Sequence, residues 1–261
     1  VDVAELHRAL VDMVRTWFQT GADLETKPYG FVARDLEHPL LHDTNLAWLD
    51  SAPEGGIGSV LDDLDEAFRG TEVRDRSLWF ADADLAFANQ DALVALHFQP
   101  RAELVMAKVG LPSCIVNPDL VVEEVGRGAS EEDFHRVQAA IHKESGFSPE
   151  VSHQVYEVER SRGAALNERA FVGYLHEEAA GTYSLLPRGR FGLIGSVATL
   201  PSFRMRGIGR TMIFDACSRT IGAHCEYVLL TTDLFDSPQA MYKSLGFVPV
   251  GELRGFLRKS M

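Results

Sequence analysis

Apolar positions recur at two spacings along the chain, and the switches between them lay out helices and strands. Leu6, Leu10, Met13, Val14 and Phe18 fall three or four residues apart, which predicts an amphipathic helix over residues 2–19 with its polar face in solvent. Strand-like runs follow at 30–36 and 40–49, and Pro53-Glu54-Gly55-Gly56-Ile57-Gly58 opens a helix reaching about Phe68. Residues 77–81 read as a strand and 90–96 as a helix; one strand begins at Phe98 and another spans 103–109. Gly110, Pro112 and Pro118 then interrupt the pattern, so a linker is expected at 111–119 between domains at 1–110 and 120–261.

The second stretch opens with a strand at 120–125. Ser130 is placed to cap a helix with Asp133 reaching back to it, and Phe134, Val137 and Ile141 form that helix's apolar face before Gly146 ends it. Ser148-Pro149 starts another helix, with Val151, Val155 and Val158 inward and a stop near Gly163. Three antiparallel strands are predicted at 170–175, 179–186 and 191–200, then a helix at 208–220, a strand at 227–232, a helix at 238–245 and a closing strand pair at 247–258. The fold class is therefore mixed α/β, with flanking helices on mostly antiparallel sheets.

Composition narrows the chemistry. The 38 acidic and 25 basic side chains leave a formal charge of -13, which disfavours nucleic acid because phosphate neutralisation needs basic clusters. It mildly favours cationic acceptors, although such a charge also simply keeps a protein soluble. No apolar run approaches the roughly 20 residues that cross a bilayer, and no charged-then-apolar leader opens the sequence, so a cytoplasmic protein without membrane contact is expected. Three scattered cysteines, Cys114, Cys217 and Cys225, suit neither a disulfide framework nor a metal cluster.

The informative stretch is Arg204-Met205-Arg206-Gly207-Ile208-Gly209, between an apolar strand and a helix start. Glycines there let backbone N–H groups converge, and the helix N-terminus adds unpaired donors and partial positive charge, a combination suited to a pyrophosphate. Met212 stands where a dinucleotide fingerprint needs its third glycine, and no Gly-Lys-Ser/Thr follows for a P-loop. Downstream, Ala240-Met241-Tyr242-Lys243-Ser244-Leu245-Gly246-Phe247 is a short helix closed by glycine.

Together these motifs resemble the GNAT superfamily of acyl-CoA-dependent N-acetyltransferases. Arg204, Gly207 and Gly209 match its phosphate loop, and Tyr242, Gly246 and Phe247 its later helix; Ser237 stands where many members carry Asn. The resemblance implies acetyl-CoA as co-substrate and no metal. It places the diphosphate on Met205, Arg206, Gly207, Ile208, Gly209 and Arg210 with Arg204 nearby, the pantetheine arm along Val197, Ala198 and Thr199, and Ser237 as a hydroxyl contact to that arm. Tyr242 is then the acid that protonates the leaving thiolate, a phenol with an ordinary pKa near 10 being protonated at neutral pH. The acceptor amine must also lose a proton; Glu144, His142, Glu178 and Asp233 are candidates, with no spacing rule to choose among them. His135 and His142 share a helix face, a placement that solvated histidines also adopt. The expected activity is acetyl transfer to a primary amine of a small molecule, with a non-catalytic acyl-CoA sensor and a protein N-acetyltransferase as alternatives.

The N-terminal half repeats this order. Gly56-Ile57-Gly58 aligns with Gly207-Ile208-Gly209 and Leu96-His97-Phe98 with Leu245-Gly246-Phe247; the glycine loop and the aromatic lie 40 residues apart in one half and 38 in the other. A tandem arrangement follows, with a truncated first copy. Pro53 replaces Arg204, Leu93 replaces Tyr242, and Asp62, Asp63 and Asp65 follow the loop closely enough to oppose a phosphate. The first copy is therefore expected to be a degenerate scaffold.

Overall fold

The N-terminal helical spacing is realised as α1 (Val3–Gln19), capped by Asp2, whose carboxylate accepts from the Ala4 N–H at 2.9 Å. The computed structural model describes residues 2–234 and 238–260. After α1 come β1 (Asp23–Lys27), β2 (Gly30–Arg34), β3 (Leu46–Leu49), α2 (Gly56–Ala67), β4 (Arg76–Phe80), α3 (Ala83–Ala95), β5 (Gln99–Val109), β6 (Leu120–Glu124), α4 (Glu131–Glu144) and α5 (Pro149–Leu166). The chain continues through β7 (Arg169–Leu175), β8 (Glu178–Arg188), β9 (Phe191–Thr199), a 3-10 turn (Pro201–Phe203), α6 (Ile208–Gly222), β10 (Tyr227–Asp233), α7 (Pro238–Ser244) and β11 (Val248–Arg258). Among the described residues no helix is long and apolar enough to cross a membrane.

Several expectations change, each for a local reason. Residues 40–49 form a strand only at Leu46–Leu49, because the turns before it close around Asn45. That buried amide donates to the carbonyls of Asp35, His38 and Leu41 and accepts from the Asp35 N–H. α3 starts earlier than expected, since Asp82 caps it through the Asp84 N–H at 2.8 Å. The two strands expected after Phe98 are one, β5, and the closing pair is one, β11; Pro100 and Pro249 sit at their starts, where a missing donor is tolerated. β1 escapes sequence reading because none of its five residues is buried, which erases the period-two signal.

The fold divides into two compact units, Val1–Leu104 with Gly251–Met261, and Val105–Val250. This differs from the expected 1–110, 111–119 and 120–261, because pairing rather than chain order groups the strands. In the first unit the sheet runs β1-β2-β3-β4-β11, with Arg254–Arg258 of β11 antiparallel to Arg76–Phe80 of β4. Phe256 of β11 joins the core formed by Val60, Leu64, Leu78 and Phe80 under α2, while Phe18 of α1 meets Trp48 and Trp79 on the opposite face at 5.8 and 6.1 Å between centroids. In the second unit the sheet runs β5-β10-β9-β8-β7-β6, with α4 packed through Phe134 and Val137 on Val172 and Ala198, and α6 on the other face.

The repeat is visible in the backbone itself. β3 and β4 pair in parallel, as β9 and β10 do. The aligned Gly56 and Gly207 both adopt left-handed φ (68° and 77°), and so do the aligned His97 and Gly246 (65° and 86°). The chain is thus a tandem of two related folds, the first lacking counterparts of β6 and one helix. One expectation about that first copy is corrected. Asp62 and Asp63 lie beyond the first turn of α2, and Asp63 is engaged by Lys27 at 2.7 Å and the Tyr29 hydroxyl at 3.0 Å, so these carboxylates do not crowd the helix N-terminus.

Candidate functional site

The parallel ladder between β9 and β10 holds from Phe191↔Tyr227 to Ile194↔Leu230 and then stops, although β9 runs on to Thr199 and β10 to Asp233. The cause is a bulge. On the other side of β9 the register to β8 shifts between Ser184↔Gly195 and Thr182↔Ala198, and Ser196 at the extra position has a left-handed φ of 47°. Gln138 of α4 pins this bulge from the core: its amide donates to the Ser196 carbonyl and to the Thr182 hydroxyl, both at 2.7 Å. Beyond the bulge Val197, Ala198 and Thr199 diverge from β10, leaving strand edges that face an opening. Ala198 is buried against the α4 core, while Thr199 sits beside the start of α6.

In the N-terminal copy no such opening exists. β3 ends at Leu49, and all four of its residues pair with β4. Among the described residues of this copy, an extended ligand arm has no freed β3 edge beside β4 to add to.

Gln138→Leu is expected to destabilise the protein by about 2 kcal/mol, since the bulge carbonyl loses the shorter of its two donors and keeps only the Thr182 hydroxyl at 3.2 Å. For a unit of this size that corresponds to roughly 5 °C in Tm. A thermal melt that moves by less than a degree would mean the Thr182 hydroxyl alone satisfies the Ser196 carbonyl.

The opening leads to the glycine turn. Met205 is fully exposed at φ 61°, Gly207 is the N-cap of α6 at φ 77°, and no side chain caps that helix. The amides of Ile208, Gly209 and Arg210 consequently have no intrahelical acceptor. Asn117 straps the turn, its side-chain amide donating to the Arg206 carbonyl at 2.9 Å and its N–H to Thr211 Oγ1 at 2.7 Å. A Cβ on Gly209 would lie 3.3 Å from Met241 Sδ and 3.7 Å from Thr199 Oγ1, so β9, α6 and α7 meet at that atom. These free donors and this glycine fit a diphosphate whose arm passes into the opening.

The other site residues divide. Tyr242 is buried, 5 % exposed, with its ring edge-on to Phe247 at 5.9 Å. Ser237 lies outside the described residues. Arg206 sits with its guanidinium 5.4 Å from the Phe203 ring. Arg204 and Glu144, expected to serve the cofactor and the proton respectively, are joined to each other: the guanidinium holds both carboxylate oxygens at 2.7 and 2.5 Å and donates to the Thr199 carbonyl at 3.3 Å. That pairing lowers the Glu144 pKa, the wrong direction for a base near neutral pH. His142 Nδ1 meets Ser152 Oγ at 2.9 Å, and burial lowers its pKa; His135 instead stacks on Tyr156, 4.1 Å between centroids. Glu178 is exposed at the start of β8 and Asp233 at the end of β10.

Two carboxylates that sequence reading missed stand closer to the bulge. Glu159 and Glu168 line a cavity of about 250 Å³ that also touches Ser196. Burial, with the neighbouring Glu168, pushes Glu159 up to about 7 from an ordinary 4.5. Burial likewise raises Glu168, against an opposing pull from the Ser184 hydroxyl. The folded state therefore holds the Glu159 proton more tightly than the unfolded chain does. Stability is accordingly expected to fall as pH rises from about 4.5 to about 7, by up to about 3 kcal/mol. Glu159→Gln should raise Tm at pH 8 and change it little near pH 4.5; equal shifts at both pH values would show that ionisation there costs nothing. No spacing signal marks these residues, because Glu159 lies within α5 among other charged residues and Glu168 follows the helix. Among the described residues no group of three or more His, Cys, Asp or Glu could hold a metal ion.

Comparison with known proteins bears on this geometry. Residues 137–247 match the family model of the Acetyltransferase (GNAT) family. No curated protein sequence matches the chain. Among solved structures, a functionally unknown conserved protein from Staphylococcus epidermidis is similar at a TM-score of 0.72 and 15% identity, over 92% of this chain and 95% of that one. A GCN5-related N-acetyltransferase from Kribbella flavida has a TM-score of 0.71 at 15% identity, over 97% and 96% of the two chains. A tandem GNAT protein from the clavulanic acid biosynthesis pathway aligns over 98% and 95% at a TM-score of 0.54 and 14% identity. At such identities the likeness establishes the fold.

Proposed function

Residues 137–247 being a domain of the acetyltransferase (GNAT) family, whose members use acetyl-CoA, we propose that this protein transfers an acetyl group from acetyl-CoA to a primary amine of a small molecule. The observation that carries this reading is the opening between β9 and β10, which begins at the Ser196 bulge and runs toward the uncapped N-terminus of α6. In this reading the amides of Ile208, Gly209 and Arg210 receive the diphosphate, with Met205, Arg206 and Gly207 shaping the turn. The strand edge at Val197, Ala198 and Thr199 pairs with the pantetheine arm as an added strand. Arg204 supports this edge indirectly, through Thr199 and Glu144. Tyr242 gives its proton to the departing sulfur.

A small acceptor is favoured over a peptide because the space beside the bulge is a cavity walled by α4, α5 and the sheet, and pockets of that form enclose small molecules. Calorimetry with CoA, followed by release of free thiol from acetyl-CoA across a panel of small amines, tests the reading. Binding in the micromolar range with amine-dependent thiol release is expected. Binding without turnover would make the protein a sensor, and an absence of binding would remove the assignment altogether.

A further inference from the structure

The cavity beside the bulge lies under α4 and α5, with Phe134, Ala164 and Ala170 supplying apolar wall. Four carboxylates reach it, and two are already neutralised. Glu124 receives Arg169 in a bidentate pair at 2.9 and 2.7 Å, and Glu131 accepts from the Tyr156 hydroxyl at 2.6 Å with Arg160 at 3.6 Å. Among the described residues no cation pairs with Glu159 or Glu168.

Glu168 is held in place by the way α5 ends. Asn167 turns left-handed at φ 59°, and the Glu168 N–H donates to the Gly163 carbonyl at 2.8 Å, which folds the side chain back over the helix. Its carboxylate then fits against two glycines. A Cβ on Gly163 would come within 2.9 Å of Glu168 Oε2, and one on Gly195 would lie 3.8 Å from Oε1. Gly195 is the residue after Ile194, where the β9–β10 ladder ends, so the carboxylate stands at the mouth of the opening.

An independent observation points to a ligand. Ser184, only 4 % exposed, lines the cavity, and its hydroxyl faces the Glu168 carboxylate without reaching full hydrogen-bond geometry. A hydroxyl turned toward a carboxylate keeps its oxygen lone pairs free to accept from a ligand's donor.

We propose that this cavity is the acceptor site, that it selects a small primary ammonium carried on a short apolar body, and that Glu168 takes the proton that frees the nitrogen lone pair. The proposal rests on the acyl-transfer reading above. An ammonium offers three donors, and the cavity presents three acceptors for them: Glu159, Glu168 and the Ser184 hydroxyl. Pairing also relieves two half-buried carboxylates that lack a counter-charge. A neutral alcohol of the same shape would satisfy only one of the three.

The Glu168 carboxylate removes one proton from R–NH3+, and the freed nitrogen pair forms the C–N bond to the thioester carbonyl carbon while the C=O pair moves to oxygen. When that pair returns, the C–S bond breaks and sulfur leaves with its electrons. Tyr242 protonates the sulfur and recovers a proton from the nitrogen. The products are the amide, the CoA thiol and one proton on Glu168 for release to solvent.

The test uses the full chain and the near-isosteric variants Glu168→Gln and Glu159→Gln, with benzylammonium and benzyl alcohol as probes. Ligand-observed NMR needs no CoA, so it reads the cavity separately from the cofactor site. Benzylammonium should bind the wild type saturably and each variant at least about tenfold more weakly, with no saturable binding of benzyl alcohol. With acetyl-CoA and benzylamine, Glu168→Gln should lower kcat about 100-fold at unchanged CoA affinity, whereas Glu159→Gln should raise KM and leave kcat within about threefold. The proposal is overturned if the wild type fails to bind benzylammonium, if both variants bind it equally well, or if CoA and benzylammonium bind without thiol release. A kcat loss below threefold in Glu168→Gln would remove that residue's role. Failure of CoA binding alone would instead overturn the acyl-transfer reading.

Discussion

Gly209→Asp is expected to weaken CoA binding by about 100-fold or more while α6 stays folded. Gly209 lies in the first turn of α6, and a side chain there enters the space between Met241 of α7 and Thr199 of β9. An aspartate at a helix N-terminus is favourable for the helix by about 0.3–1 kcal/mol, so the variant should melt no earlier than the parent. The same carboxylate would occupy the amides of Ile208 to Arg210 and repel a diphosphate. Losing two hydrogen bonds to a charged group costs about 3 kcal/mol, which is about two orders of magnitude in Kd. Calorimetry gives the Kd and circular dichroism the melt. A Kd within threefold of the parent would place the diphosphate somewhere other than this turn.

Tyr242→Phe is expected to lower kcat about 100-fold at unchanged CoA affinity, the lower end of what a positioned acid contributes. The substitution keeps the ring, so the edge-on contact with Phe247 and the helix closure, in which the Phe247 N–H donates to the Tyr242 carbonyl at 3.1 Å, are both retained. What it removes is the hydroxyl. Thiol release under saturating acetyl-CoA separates this effect from binding. Turnover within threefold of the parent would reduce Tyr242 to a packing residue and leave the sulfur to be protonated by water.

The predicted gain in stability for Glu159→Gln at pH 8 and its predicted loss of ammonium binding belong together. A half-buried carboxylate without a cation is held at a cost, and that cost is recovered when a cationic ligand arrives. The variant that folds more firmly is thus expected to bind less well.

The site was unevenly legible from sequence. The loop at Arg204–Gly209 and the Tyr242 to Phe247 helix were readable because their signals are local: a glycine must sit where φ is positive, and a helix must end where Gly246 turns it. The partner of Arg204 was not legible because a guanidinium is drawn to whichever carboxylate the fold presents, and here that is Glu144, 60 positions away. Glu168 was invisible because its placement depends on the left-handed Asn167 and on two glycines whose meeting is a tertiary event. The bulge at Ser196 left no trace either, since Ser is not a residue that sequence reading expects at positive φ.

The amino-acid order by itself determined the helices, nearly all the strands, the tandem repeat and the glycine turn at the start of α6. Periodicity, capping and glycine conformation act within a few residues, so a local reading captures them. The tertiary structure alone decided that β11 completes the sheet of the N-terminal unit, that β9 parts from β10 beyond Ile194, and that Glu159 and Glu168 face one cavity without a counter-ion. Strand partners and buried charge are set by residues far apart in the chain, where hydrogen-bond satisfaction and desolvation, and no local spacing, select the arrangement.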